Sequence, residues 1–328
     1  MNSVQVTTGA RLHFGLICPR PQTPHRFGGL GLMLQDPCWK VFAAPSDCFS
    51  CDTTSDEVRR RVEEIFPRIG QLTGNAGLRI SINEELPLHR GLGAGTQLAL
   101  AVATAALVVA GQPRPSTSAE LAGALNRMRR SAIGTQGFDR GGLIVDGGLP
   151  MEASERDVKS YEFPEAWRVV LVSPSGEQGF SGTKEETIFR QDNWMPESTA
   201  QEQVKLIRNR ILPAVEQSDF DAFRNGLAEY GHIAGKFFAT QQGGVFASER
   251  IRKLATIPEI SDLEPVQSSW GPTVAVIAKS DHHATDIISR ISLTSEGAQL
   301  NCHIARPLNV GATVRSTAPD QLDHVGRG

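Results

Sequence analysis

Polar and apolar residues alternate with a period of two through most of the first fifty positions. VQVTT (4–8), RLHFGL (11–16), GLGLML (29–34) and WKVFAA (39–44) are short β-prone runs set apart by Pro and Gly. Between the second and third runs, CPRPQTPHRFGG carries three prolines and two arginines and predicts an exposed loop. The period then changes. Val58, Val62, Ile65 and Ile69 recur at helical spacing, Thr54 with Glu57 offers a capping box, and Pro67 is expected to kink the helix end. LRISI (78–82) predicts a strand, and the Ala- and Leu-rich stretch 98–111 a buried helix. Another helix is expected from Thr117, with Glu120 completing a second capping box.

Residues 150–165 turn polar and irregular, which suggests a domain boundary. Beyond it come a strand WRVVLV (167–172), helices over about 199–216 and 219–239, strand VAVIA (274–278), a helix opening near Ser280 and strand LNCHIA (300–305). Strands and helices interleaved in this way predict an α+β fold of two domains, residues 1–155 and 156–310. A tail, 311–328, follows, with little to pack after Pro307. There is no internal repeat and no low-complexity block.

Composition narrows the function classes. Of 328 residues, 40 % are hydrophobic and 21 % charged, enough for a real core. The formal charge of -3 gives no positive field for nucleic acid or an anionic membrane. No apolar run reaches the roughly 20 residues a bilayer needs, and the start lacks a signal-peptide pattern, so a cytoplasmic location is expected. The five cysteines, Cys18, Cys38, Cys48, Cys51 and Cys302, make no disulfide framework, and Cys48-x-x-Cys51 is half a zinc site at most. His282 and His283 point about 100° apart on a helix and are assigned no site.

The segment with chemistry is Pro87-Leu88-His89-Arg90-Gly91-Leu92-Gly93-Ala94-Gly95-Thr96-Gln97, which leads from a strand into the apolar helix. Three glycines in five residues allow positive φ and a close backbone approach. The helix start behind them presents N–H donors and partial positive charge. Phosphate or diphosphate is the natural guest. The loop matches neither the Walker A pattern nor G-x-G-x-x-G.

Pro87-x-x-x-Gly91-Leu92-Gly93 resembles the phosphate loop of the GHMP superfamily of small-molecule kinases. Gln136-Gly137-Phe138-Asp139 resembles that superfamily's S-G-x-D stretch, and Gln267-Ser268-Ser269-Trp270-Gly271-Pro272-Thr273 its third glycine loop. Ala94 and Gly95 stand where these kinases carry serines that help to hold magnesium and phosphate, which weakens a kinase reading. Five segments in order resemble the β-ribofuranosylaminobenzene 5′-phosphate synthase family: ARLHFGL (10–16), RFGGLGLML (26–34), GLGAGTQLALAVA (91–103), RSAIGTQGFDRGGLIVDGG (130–148) and QSSWGPT (267–273). One departure is Ile17-Cys18, where that family's pattern has an acid.

The resemblance implies a two-domain GHMP kinase-like fold, with an N-terminal domain of ribosomal S5-like domain 2 type and a C-terminal ferredoxin-like α/β sandwich. It implies transfer of phosphoribosyl from phosphoribosyl pyrophosphate to 4-hydroxybenzoate or 4-aminobenzoate, with loss of CO2 and pyrophosphate, in tetrahydromethanopterin biosynthesis. Mg2+ is the expected cofactor, the partners are small-molecule substrates, and relatives suggest a homodimer. Arg26, His13 and Asp139 are the candidate catalytic residues. The substrate-binding candidates are Arg11, Arg90, Gly91, Gly93, Ala94, Gly95, Thr96, Gln97, Ser268, Ser269 and Trp270; the metal ligands are unassigned. Guanidinium suits phosphate and carboxylate because its fork matches their oxygens. Each side chain also has a plainer role open to it. The arginines can be surface charges, His13 a hydrogen-bonded histidine at a sheet edge, Trp270 a core aromatic, and Asp139 an N-cap or salt-bridge partner. The alternatives are an ATP-dependent GHMP-type kinase and a metabolite-binding protein on the same fold.

Overall fold

A computed structural model describes residues 3–19, 25–26, 28–74, 77–126, 131–150, 157–179 and 194–317. The four expected N-terminal strands are two long ones. β1 (Ser3–Ile17) and β3 (Gly28–Pro45) pair antiparallel from Val4↔Ala43 to Ile17↔Gly28, with shifts at Gly9/Ala10 and His13/Gly15. The first shift falls between the first two expected runs and the second inside RLHFGL, so the strand bends at these points without ending. Between them β2 (His25–Arg26) pairs with β7 (Leu149–Pro150). β4 (Ser50–Asp52), β5 (Leu78–Glu84), β6 (Leu143–Asp146) and β8 (Val158–Tyr161) extend the sheet, which runs β13-β1-β3-β5-β4 with β6 and β8 branching from β3.

This first sheet takes strands from beyond the expected boundaries at 155 and 310. β8 pairs with β6, and β13 (Thr313–Thr317), in the expected tail, pairs with β1. Both give main-chain partners to strands that would otherwise leave them unpaired. α1 (Asp56–Thr73) is capped by Ser55, whose side chain accepts from Val58 N–H, rather than by Thr54, and it runs on through Pro67. Glu57 is drawn instead to Arg61 and His89.

α2 (Ala94–Val109) is buried on nearly every side, as its apolar composition requires. Its alanines let it lie close to β1 and β3. α3 (Ser118–Ala124) starts at Thr117 as expected, but Thr117 makes no capping bond. α4 (Ile133–Arg140) completes this layer.

The second sheet runs β10 (Val266–Gln267), β11 (Val274–Ala278), β9 (Arg168–Pro174), β12 (Leu300–Ala305). Its two central strands, β11 and β9, are buried on both faces. Val169, Leu171, Ala275 and Ile277 join the main core, whereas Val170, Val172, Val274 and Val276 pack in a second cluster with Leu254, Ile287 and Ile291. α5 is helical over Glu197–Leu206, widens to a π-turn at Ile207–Ile211 and resumes over Leu212–Glu216. With α6 (Phe220–Phe237) it bridges the two sheets through Leu206, Phe223, Leu227 and Tyr230. Shorter α7 (Ala239–Gln242) and α8 (Glu249–Leu254) lead to β10, and α9 (Asp281–Ser292), capped by Ser280, covers the second cluster. Among the described residues no helix is long and apolar enough to cross a membrane.

Candidate functional site

Strand alternation along β1 sends Arg11 and His13 to the face opposite Leu12 and Phe14, which fill the core. Arg11 meets the glycine loop there. Its N–H donates to Leu92 O at 2.9 Å, and its side chain lies against Gly93, where a Cβ would come within 2.7 Å of Nε. Gly93 has φ +71°, a left-handed conformation that only glycine adopts cheaply, and it heads α2 with no side-chain cap. The amides of Thr96 and Gln97 turn back to Gly93 O. Ala94 and Gly95 thus head a 16-residue helix, with their amides and the partial positive charge of its start beside a guanidinium. Trp39 Nε1 donates to Ala94 O at 3.0 Å and fixes the first turn to β3.

The third glycine loop holds this one in place. Ser268 is fully buried; its hydroxyl donates to Gly91 O at 2.7 Å and accepts from His13 N–H at 3.1 Å. Ser269 N–H donates to His13 O at 2.7 Å. Gly91, at φ +79°, has no room for a side chain, since a Cβ would be 2.3 Å from Ser268 O. Arg90 Nη1 donates to Pro174 O at 2.7 Å, and Gly179 N–H to His89 O at 2.8 Å. β1, the glycine loop and two loops of the second sheet therefore converge.

Several expected contacts turn out to be structural. Gln97 is wholly buried and spends its amide on Thr8 Oγ1 (2.6 Å) and Gly134 O (2.8 Å), so it ties α2 to β1 and α4 instead of facing substrate. Ser268 is a clasp. Trp270 is buried in a T-shaped pair with Phe238, with centroids 4.8 Å apart, and belongs to the main core. Arg90 binds backbone across the two sheets. Asp139, at the far end of α4, accepts from Ser118 N–H and Oγ, and so caps α3. It lines a polar cavity of about 580 Å³ with Thr104, Arg114 and Arg140, about two turns or more along α2 from Thr96. Arg26 pairs through its backbone with Leu149, just beyond the end of the β1–β3 pairing; its side chain lies outside the described residues.

His13 is buried, and its pKa is lowered to about 3, first by burial and then by the Arg11 charge. It is a neutral imidazole at any working pH.

Two features lay beyond sequence reasoning. The stretch beside the glycine loop is Ser131–Gly134, the start of α4, rather than Gln136–Asp139; a Cβ on Gly134 would be 3.3 Å from Thr96 Cγ2. Unlike α2, α4 has its first amides satisfied: Ser131 Oγ accepts from Ile133 N–H, and Asp146 Oδ2 from Ala132 N–H at 2.7 Å. A carboxylate already faces α4, so an anionic ligand is directed to α2. The Asp-Gly-Gly run at 146–148 is the sequence signal that marks this carboxylate. Among the described residues, no three His, Cys, Asp or Glu side chains gather as a metal site.

Comparison with known proteins agrees with this picture. Residues 57–141 match the GHMP kinases N terminal domain. The chain is 30 % identical over 245 residues to a β-ribofuranosylphenol 5′-phosphate synthase of Methanothermobacter thermautotrophicus, covering 68 % of this chain and 74 % of that one. It is 28 % identical over 324 residues to the protein of that name from Archaeoglobus fulgidus, covering 95 % and 99 %. Its fold is similar to homoserine kinase from Cytophaga hutchinsonii (TM-score 0.65, 14 % identity, covering 96 % and 98 %). It is also similar to mevalonate diphosphate decarboxylase from Staphylococcus aureus (TM-score 0.66, 11 % identity, covering 96 % and 98 %).

Proposed function

Because the chain belongs to the β-ribofuranosylphenol 5′-phosphate synthase family, we propose that it transfers phosphoribosyl from phosphoribosyl pyrophosphate to 4-hydroxybenzoate, releasing CO2 and pyrophosphate. The relatives are named for a phenol product, and 4-hydroxybenzoate is the candidate acceptor that becomes a phenol when its carboxyl leaves. The observation that carries the reading is the Arg11 guanidinium against Gly93 at the uncapped start of α2.

The diphosphate lies on the amides of Ala94 and Gly95 at the start of α2, with Arg11 offsetting its charge as the C1–O bond breaks. The electron pair of that bond leaves with diphosphate. The ring carbon bearing the carboxylate then bonds to C1 of the sugar, and the C–CO2 bond breaks with its pair returning to the ring. These bond changes transfer no proton, so the chemistry asks for no general base. That agrees with a neutral His13 and a capping Asp139. We assign Arg26 to an anionic end of a substrate, because its guanidinium fork matches phosphate and carboxylate oxygens. Mg2+ would come in with the diphosphate, whose oxygens are the hard ligands this cation prefers.

The test is incubation with phosphoribosyl pyrophosphate, Mg2+ and carboxyl-labelled 4-hydroxybenzoate. Equal release of labelled CO2 and pyrophosphate is expected. Neither product, with ADP formed from ATP and a small alcohol, would establish the GHMP-type kinase instead.

A further inference from the structure

Asp146 ends β6 and is almost wholly buried. Its two carboxylate oxygens serve two elements. Oδ2 accepts from Ala132 N–H at 2.7 Å, at the head of α4, and Oδ1 from Gly148 N–H at 3.0 Å, in the turn leading to β7. β7 is the strand that pairs with Arg26, through Leu149. On the other side of Arg26 the chain returns to Asp146 itself: Gly29 is in register with Asp146, and a Cβ on Gly28 would be 2.8 Å from Asp146 O. Arg26 is therefore bracketed, by β7 on one side and the start of β3 on the other, and both brackets meet at one residue. Through α4, Asp146 also reaches the glycine loop, because Gly134 packs on Thr96 and accepts from Gln97.

Resting on the function proposed above, we propose that Asp146 is a positioning residue for the transfer reaction, holding the Arg26 strand in register with the helix start that packs on the diphosphate loop. Only a carboxylate accepts both N–H groups. An asparagine of the same shape would turn its own amide N–H toward one of those donors. The site tolerates little movement, since a displacement near 1 Å can cost about a hundredfold in rate.

The experiment is a double-mutant cycle on the full chain, with Asp146→Asn and Arg26→Ala, reading kcat and KM for phosphoribosyl pyrophosphate. Asp146→Asn is expected to lower kcat about thirtyfold or more. In the Arg26→Ala background it should add less than about threefold, because the two act as a unit. As a structural control, Ser248→Ala removes a buried cap from α8, where Ser248 Oγ accepts from Ile251 N–H, and should leave kcat unchanged. If Asp146→Asn does not fold, Asp146→Ser, which retains one acceptor, enters the same cycle. Losses in kcat that multiply fully in the double variant, or a single-variant kcat within about twofold of wild type, overturn the inference while wild-type turnover leaves the reading of function standing. A wild-type protein that releases no CO2 overturns both.

Discussion

His13 stands two residues from Arg11 on the same face of β1, and its surroundings deny it a proton. Burial and the Arg11 charge hold its pKa near 3, against 6.5 for an ordinary imidazole. Above pH 6.5 the group is neutral whether the chain is folded or not, and it contributes nothing to pH dependence. As pH falls below 6.5, the unfolded chain takes up a proton that the folded chain refuses. Stability then drops by about 1.4 kcal/mol per pH unit until pH reaches about 3, where the folded state also protonates. Denaturation midpoints taken between pH 7 and pH 4 should therefore fall more steeply for wild type than for His13→Gln. Equal slopes would mean that the imidazole is solvated. Turnover should show no His13 ionisation between pH 6 and 8.

Among the elements, α2 carries the site because of one residue in front of it. Gly93→Ala would place a methyl 2.7 Å from Arg11 Nε at φ +71°. The left-handed backbone alone costs about 1–2 kcal/mol, and relief comes only by moving the guanidinium or the helix start. A fall in kcat/KM of about a hundredfold is expected, with a thermal midpoint lower by a few degrees. Steady-state rates and a melt check both, and unchanged kcat/KM would remove the Gly93–Arg11 contact from the site. The glycine loop was legible in sequence because its signal is local: glycine spacing, a strand before and an apolar helix after. β11 and β12 fall on VAVIA and LNCHIA, and α9 opens at Ser280 as expected, for the same reason. What a side chain touches across the fold was not legible. Gln97, Ser268 and Trp270 lie in the right segments, but their partners come from residues 37, 177 and 32 positions away. Asp139 looked like a kinase's acid by its position in a motif, whereas its approach to the head of α3, 21 residues away, is set by tertiary packing.

At the scale of the molecule, the first sheet is closed by residues that read as tail. β13 pairs with β1 from Ser3↔Thr317 to Thr7↔Thr313, so the outer edge of the strand that bears Arg11 and His13 is covered by the C-terminal end of the described chain. The cover stops short of the Gly9/Ala10 shift, and the half of β1 carrying the site keeps its pairing to β3 from Ala10↔Leu34 to Ile17↔Gly28. Stability and catalysis are thereby separable along a single strand. Deleting residues 313–328 should bare an unpaired edge, lower the unfolding midpoint and promote association, relative to a chain ending at Thr317. Each lost ladder bond is worth about 0.5–1.5 kcal/mol, so the loss should be several kcal/mol in denaturant titration. At a temperature where the shortened chain is still folded, kcat should remain within about twofold of the longer one. A shortened chain that is stable but inactive would mean that β13 acts on the site itself, and that the shift at Gly9/Ala10 does not insulate the two halves of β1.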